Sequence, residues 1–323
     1  MQDDALNGEI ARLRSQLAEA RAQNRDLQEK LAAALDGTGI CLWQGQPQSG
    51  ELTVFNLQAF KPGDMAPNFD RWLAKLHPED RDAVLANYHA HLAGRSACYE
   101  AEYRTIGPDG EITWLWDHGR VVERAADGSA VRILGTHIDI TRRKEAEGEL
   151  ERLAHNDPLT GLPNRNRFFL LLEQALQTEK IPGRQLAVLF VDLDYFKQVN
   201  DRHGHAFGDR VLLAVADHLR HIVRDGDTVA RLGGDEFTVL LEGPTIGERA
   251  AKVARRIVHA LESPLEIDGL SVHIGASIGV SIYPEHGGSA EALMRFADAA
   301  MYDAKSGGRR RIVCYQPDVG PDG

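Results

Sequence analysis

The residues best suited to chemistry are Gly233-Gly234-Asp235-Glu236-Phe237. Two adjacent carboxylates repel each other, and a hard cation carrying phosphate relieves that repulsion. Solvation of an acidic turn relieves it too. The glycines permit positive φ and let another molecule approach the main chain closely. β-Branched, alternating runs at 227–232 and 237–241 flank the pair. They predict a β-hairpin with the carboxylates at its tip. A second set follows the unbroken apolar run 186–191, Leu-Ala-Val-Leu-Phe-Val, which reads as a buried central strand. It ends in Asp192-Leu193-Asp194, so a carboxylate stands at the mouth of a core, where a metal site is easily built.

Next come Phe196-Lys197-Gln198-Val199-Asn200-Asp201 and Gly204-His205-Ala206-Phe207-Gly208-Asp209. In this order and spacing the stretches resemble the GGDEF-domain diguanylate cyclases. That family shows a strand ending in Asp-x-Asp-x-Phe-Lys-x-x-Asn-Asp, then Gly-His-x-x-Gly-Asp, then a Gly-Gly-Asp/Glu-Glu-Phe hairpin. The segment from Asp157 through Pro158, Leu159, Thr160, Gly161, Leu162, Pro163 and Asn164 to Arg165 is similar to the family's opening motif. Ala304-Lys305 with Arg309 is similar to its last helix. The resemblance covers roughly residues 153–316.

The resemblance implies a reaction: two GTP molecules become cyclic di-GMP, with two domains meeting face to face. It implies Mg²⁺ or Mn²⁺ on Asp192, the Leu193 carbonyl and Asp235. Glu236 lies beside them, and Asp235 or Glu236 receives the hydroxyl proton. Gly233 and Gly234 leave room for phosphates. Phe196 and Lys197 meet the β and γ phosphates, and Lys305 and Arg309 add positive charge. Asn200 and Asp209 read the guanine edge, with His205 shaping the pocket. Arg224 and Asp227, separated from the hairpin glycines by the five-residue spacer Thr228 to Leu232, resemble the family's inhibitory product site. Arg255 or Arg256 of a neighbouring domain would complete it. A GGDEF module that binds nucleotide without catalysis is the alternative, and such modules usually carry a damaged hairpin motif.

These residues need elements to hold them. A length of 323 residues suggests two domains plus connectors, and a hydrophobic fraction of 43% can bury real cores. A net charge of −11 argues against non-specific nucleic-acid binding, which needs a basic face. Cys41, Cys98 and Cys314 are scattered and odd in number, so neither a disulfide framework nor zinc spacing follows. No apolar run reaches the ~18 residues of a membrane span, and no signal peptide is legible. The expectation is a soluble cytoplasmic protein.

Residues 1–35 read as an N-terminal coiled-coil helix. Leu6, Ile10, Leu13, Leu17, Ala20, Asn24, Leu27, Leu31 and Ala34 alternate in steps of four and three. A lone Asn24 in that seam favours a parallel two-stranded register, hence a homodimer. Residues 36–141 resemble a PAS sensor domain, an antiparallel sheet with helices. The likeness rests on the His77-Pro78-Glu79-Asp80-Arg81 segment, Tyr103-Arg104, Trp114, Trp116 and the Asp139-Ile140-Thr141 close. Its four indoles read as core, and the sequence names no PAS ligand. Residues 142–156 read as a signalling helix. Residues 157–323 read as the catalytic domain, an α+β unit with a ferredoxin-like βαββαβ palm.

Overall fold

The structure is a computed structural model and describes residues 2–35, 38–55, 68–178 and 185–316. The chain divides into two compact units, Met1–Glu147 and Gly148–Gly323. Among the described residues no helix is long and apolar enough to cross a membrane.

Helix α1 (Gln2–Leu35) is rich in Ala, Leu, Glu and Arg, which are strong helix formers. Its seam lies bare in the single chain: Leu13 is 57% exposed and Leu27 65%. Leu17, Ala20, Asn24, Leu31 and Ala34 are exposed as well. The side chains of Leu6 and Ile10 lie outside the described residues.

The sheet of the first unit has the order β2-β1-β5-β4-β3 and is antiparallel throughout. Its strands are β1 (Ile40–Gln46), β2 (Glu51–Phe55), β3 (Tyr99–Ile106), β4 (Ile112–Arg124) and β5 (Ala130–Asp139). Helices α2 (Phe69–Lys75) and α3 (Arg81–Leu92) share its core with Trp43, Tyr99, Tyr103, Leu115 and Ile133. Trp43 lies flat on two glycines. A Cβ at Gly135 would fall 2.3 Å from its ring and one at Gly119 2.8 Å away, so only glycine fits either position. Arg104 clamps the segment before α3, with its Nη2 2.6 Å from Asp80 Oδ1. That hydrogen-bonded guanidinium holds Asp80 below the usual carboxylate range.

Helix α4 (Thr141–His155) leads from the first unit into the second, with Leu150 and Leu153 exposed. The second unit's sheet has the order β12-β11-β6-β8-β7. Its strands are β6 (Gln185–Asp194), β7 (Thr228–Gly233), β8 (Glu236–Gly243), β11 (Gly275–Tyr283) and β12 (Ile312–Cys314). The four strands β11-β6-β8-β7 are antiparallel to their neighbours, the arrangement expected of the ferredoxin-like palm, and β12 adds parallel to β11. Helices α5 (Arg165–Thr178), α6 (Phe196–His203), α7 (His205–Ile222), α8 (Ile246–Glu262) and α9 (Ala290–Ser306) cover the two faces.

The run in β6 is unbroken because both faces are covered. Ala187, Leu189, Val191 and Leu193 pack with α7 and α8 residues such as Val215 and Ile257. Leu186, Val188 and Phe190 pack with Phe168 of α5 and Leu293 of α9. Residues 270–283 form two strands rather than one: β10 (Leu270–Val272), hairpinned to β9 (Leu265–Ile267), and then β11.

Candidate active site

The end of β6 and the tip of the β7–β8 hairpin meet in register. Asp192 sits opposite Glu236 on β8, and opposite Ser277 on β11. The Leu193 amide donates to the Asp235 carbonyl at 3.2 Å. Gly233 and Gly234 have φ of 142° and 53°, and nothing lies within 4 Å of where their Cβ atoms would be. A side chain there would be strained and would fill open space beside the carboxylates.

The hairpin is braced from behind. Arg231 donates to the Gly234 carbonyl from Nε at 3.1 Å and from Nη2 at 2.7 Å. Its Nη1 lies 3.0 Å from both Asp157 oxygens. Asp157 also accepts from the Thr160 amide at 2.8 Å and hydroxyl at 2.6 Å. Burial opposes its charge, but Thr160 and Arg231 outweigh that and hold it below the usual carboxylate range. The opening motif after α4 is thus tied through one arginine to the hairpin turn.

The site is short of positive charge. Burial pushes the Asp192 carboxyl up to about 6; neighbouring Asp235 and Glu236 add to this, and Lys305 opposes it. Lys305 Nζ lies 2.6 Å from Asp192 Oδ2, so here it neutralises the carboxylate. Arg165 Nη2 approaches Glu236 at 3.7 Å. Among the described residues no group of three or more His, Cys, Asp or Glu side chains is arranged to hold a metal ion. The donors at hand beside the end of β6 are instead carboxylate and main-chain oxygens. That suits Mg²⁺, which binds through one or two carboxylates and completes its shell with water and substrate phosphate.

The remaining predicted residues surround this mouth unevenly. Phe196 is 7% exposed and packs its side chain in the core, while its main chain opens α6. Lys197 beside it is exposed. Arg309 lies over the Tyr195 ring at 5.0 Å. His205 opens α7 and is exposed, as is Asp209. Asn200 is packed against Gly208, where a Cβ would come within 1.9 Å of Asn200 Oδ1. That oxygen is buried and has no hydrogen-bond partner among the described residues. A buried acceptor without a donor is uncommon and suits a ligand N–H. Gly208→Ala should displace Asn200 and, on the GTP reading that the sequence resemblance implies, raise the KM for GTP at least about tenfold, the value of a lost hydrogen bond to a buried group. Unchanged KM in steady-state kinetics would remove Asn200 from the site.

Asp194 was read only as part of the strand end. Its side chain is fully buried, accepts from Ser277 Oγ at 2.7 Å and accepts from the Arg310 amide at 3.0 Å. Arg309 and Arg310 are both left-handed, with φ of 64° and 47°. Such residues cost roughly 1–2 kcal/mol each. Asp194 is therefore the anchor of a strained turn that carries Arg309.

Residues 154–311 match the family model described as the diguanylate cyclase GGDEF domain, and residues 54–137 match the PAS fold. The GGDEF domain of TpbB from Pseudomonas aeruginosa, a solved structure, is 44% identical with a TM-score of 0.49, covering 50% of this chain and 95% of that one. Residues 154–311 of this chain are a GGDEF domain. The diguanylate cyclase TpbB of Pseudomonas aeruginosa is 44% identical over 175 residues, 53% of this chain and 40% of that protein. The uncharacterized protein y4lL of Sinorhizobium fredii is 35% identical over 259 residues, 78% of this chain and 31% of that protein. The chain thus spans well under half the length of both curated relatives.

The GGDEF unit carries a second polar cluster at the other end of β7, a strand of 6 residues and so ~20 Å from the hairpin. Arg224 Nη2 donates to the Glu242 carbonyl at 2.9 Å, and Arg249 Nη1 donates to the same oxygen at 2.9 Å. The Asp227 side chain is 1% exposed and is ion-paired with Arg249, a partner the sequence reading did not name. Arg255 is exposed on α8. A concavity of about 550 Å³ adjoins the cluster, with Arg167, Arg220 and Arg224 in its wall.

Proposed function

We propose that the chain is a diguanylate cyclase that condenses two GTP into one cyclic di-GMP and two pyrophosphates. The observation that carries this reading is the carboxylate set at the end of β6: Asp192 in register with Glu236, beside Asp235. The catalytically silent alternative would be favoured by a broken hairpin motif, and this one is whole.

In the proposed mechanism the 3′-oxygen of each GTP attacks the α-phosphorus of the other. The bond from that phosphorus to the bridging oxygen breaks and pyrophosphate departs. Mg²⁺ or Mn²⁺ held by Asp192, Asp235 and the Leu193 carbonyl would neutralise phosphate charge. Glu236 or Asp235 takes the hydroxyl proton. The open space at Gly233 and Gly234 admits the phosphates, and the start of α6 with Lys197 meets their outer oxygens. Lys305 and Arg309 supply further positive charge. Asn200 and Asp209 hold the guanine edge, which presents the N–H donors that adenine lacks.

One domain holds one GTP, so two must face each other. The seam of α1 and the exposed Leu150 and Leu153 of α4 would each pair with their copies to set a parallel homodimer, and the PAS unit would bias it. Purified chain given GTP and ATP together should make cyclic di-GMP alone. Asp209→Ser should admit ATP and yield mixed cyclic dinucleotides by mass spectrometry. If that variant still makes only cyclic di-GMP, Asp209 does not read the base.

Cyclic di-GMP is also the proposed inhibitor at Arg224 and Asp227. Arg224 offers a planar fork of donors to phosphate or to a guanine Hoogsteen edge. Arg224→Ala should keep its initial velocity and lose the slowing as product accumulates. Progress curves with added micromolar product test this. Equal inhibition of wild type and variant would leave the pair as a helix end only.

A further inference from the structure

The first unit holds a cavity of about 150 Å³ between its sheet and the helices α2 and α3. An apolar cavity of about that size accepts a benzene ring. Among the described residues six aromatic side chains line it: Trp43, Phe69, Trp72, Tyr88, Tyr99 and Tyr103. They pack in tilted and edge-on pairs, with Phe69–Trp72 centroids 5.1 Å apart, Tyr88–Tyr99 5.5 Å and Trp72–Tyr103 6.0 Å.

One carboxyl stands among them. Asp117 is 3% exposed, and its oxygens accept from Trp43 Nε1 at 2.7 Å and Tyr103 Oη at 3.0 Å. Trp72 Nε1 donates in turn to Tyr103 Oη at 3.0 Å. The buried Tyr99 hydroxyl also leans on this carboxyl, and it has no other hydrogen-bond partner among the described residues. Indole and phenol donors orient a carboxylate without balancing its charge, and among the described residues Asp117 has no ion pair. A buried charge is expensive until something cationic arrives. Burial accordingly pushes Asp117 up to about 7, close to the point where a cation would fix it ionised. Aromatic faces carry negative quadrupole potential and attract the same sign of ligand. Lys75 and Glu51, one of each sign, also line the cavity with the imidazoles of His89 and His137, and burial pushes His137 down to about 4, so it is neutral beside Asp117.

We propose that this cavity binds a small protonated amine about one ring in size, with its ammonium on Asp117 and its carbon frame against the aromatic walls. Tyr99 Oη supplies a second acceptor for the ammonium. An anion of the same shape is excluded, and a neutral isostere binds through its ring alone. The site needs no contribution from the GGDEF unit, so it stands or falls independently of the cyclase reading.

The test is calorimetric titration of the full chain with benzylamine, benzyl alcohol and benzoate, with indole fluorescence followed in parallel. Benzylamine should bind saturably, one per chain, at least about tenfold tighter than benzyl alcohol, the scale of a charge-assisted hydrogen bond. Benzoate should not bind. Asp117→Asn should bring benzylamine down to the affinity of benzyl alcohol and leave the alcohol unchanged. Absence of saturable benzylamine binding, an amine no tighter than the alcohol, or a preference that survives in Asp117→Asn overturns the proposal. If that variant loses the near-ultraviolet dichroism of a packed sheet, the comparison of the three probes on the wild type decides alone.

Discussion

Asp192→Asn and Asp235→Asn should each cut cyclic di-GMP synthesis by at least about a thousandfold, the upper range for one preorganised electrostatic contact. Either change removes a negative oxygen donor from a site that has few to spare. Stability should respond differently. Burial has already raised the Asp192 carboxyl to about 6, so at neutral pH the fold works against its charge. A group whose folded pKa lies above the unfolded one weakens the fold as pH rises through that window. Asn removes that liability and leaves Lys305, which is partly exposed, to solvent. The melting temperature of Asp192→Asn at neutral pH should therefore match or exceed the wild type while turnover collapses. Near-normal synthesis by both variants would sink the metal assignment, and a collapse of stability in Asp192→Asn would sink the reading of its environment.

Removing residues 1–35 should make activity depend on concentration. Leu13, Leu17, Leu27 and Leu31 form an apolar stripe on a helix that otherwise carries mainly Ala, Gln and charged residues, all four at least 46% exposed in the single chain. A seam of that kind is buried when a second copy pairs with it, and Asn24 in the seam favours two parallel strands in one register. Tethering two GGDEF domains this way gives them an effective concentration on the order of millimolar. Without it, specific activity should fall at least about tenfold between micromolar and ten-nanomolar samples, while the full chain stays flat. A full chain that sediments as a monomer and remains fully active at the lower concentration contradicts this.

The parts legible in the sequence were those written as local pattern. The unbroken apolar run of β6, the Gly-Gly turn and the steps of four and three in α1 each follow from a backbone period. Strand β1 and helix α2 were not anticipated: β1 alternates Cys41, Trp43 and Gly45 inward without a run of large apolar residues. Helix α2 has 7 residues and no fully buried side chain, too short for a periodic signal. The break between β10 and β11 falls at His273 and Ile274, which carry no turn residue.

Within the site, residue types were visible but partners were not. Lys305 meets Asp192 and Arg231 meets Asp157 across large stretches of chain, and Arg249 reaches Asp227 from the next helix. No spacing rule connects such pairs; only the closed sheet does. The role of Asp194 was hidden for the same reason, since the turn it anchors lies 116 residues later. Trp43 and Trp72 were read as core, and they are also the walls of a cavity, which appears only once the sheet and helices close around it.

The most direct measurement is the incubation of the purified full chain with GTP and Mg²⁺, with nucleotides resolved by chromatography and released pyrophosphate counted. The expected result is cyclic di-GMP with two pyrophosphates per molecule of product, abolished by a chelator. GTP returned unchanged, or a cyclic mononucleotide with one pyrophosphate each, would contradict the face-to-face condensation built on Asp192, Asp235 and Glu236.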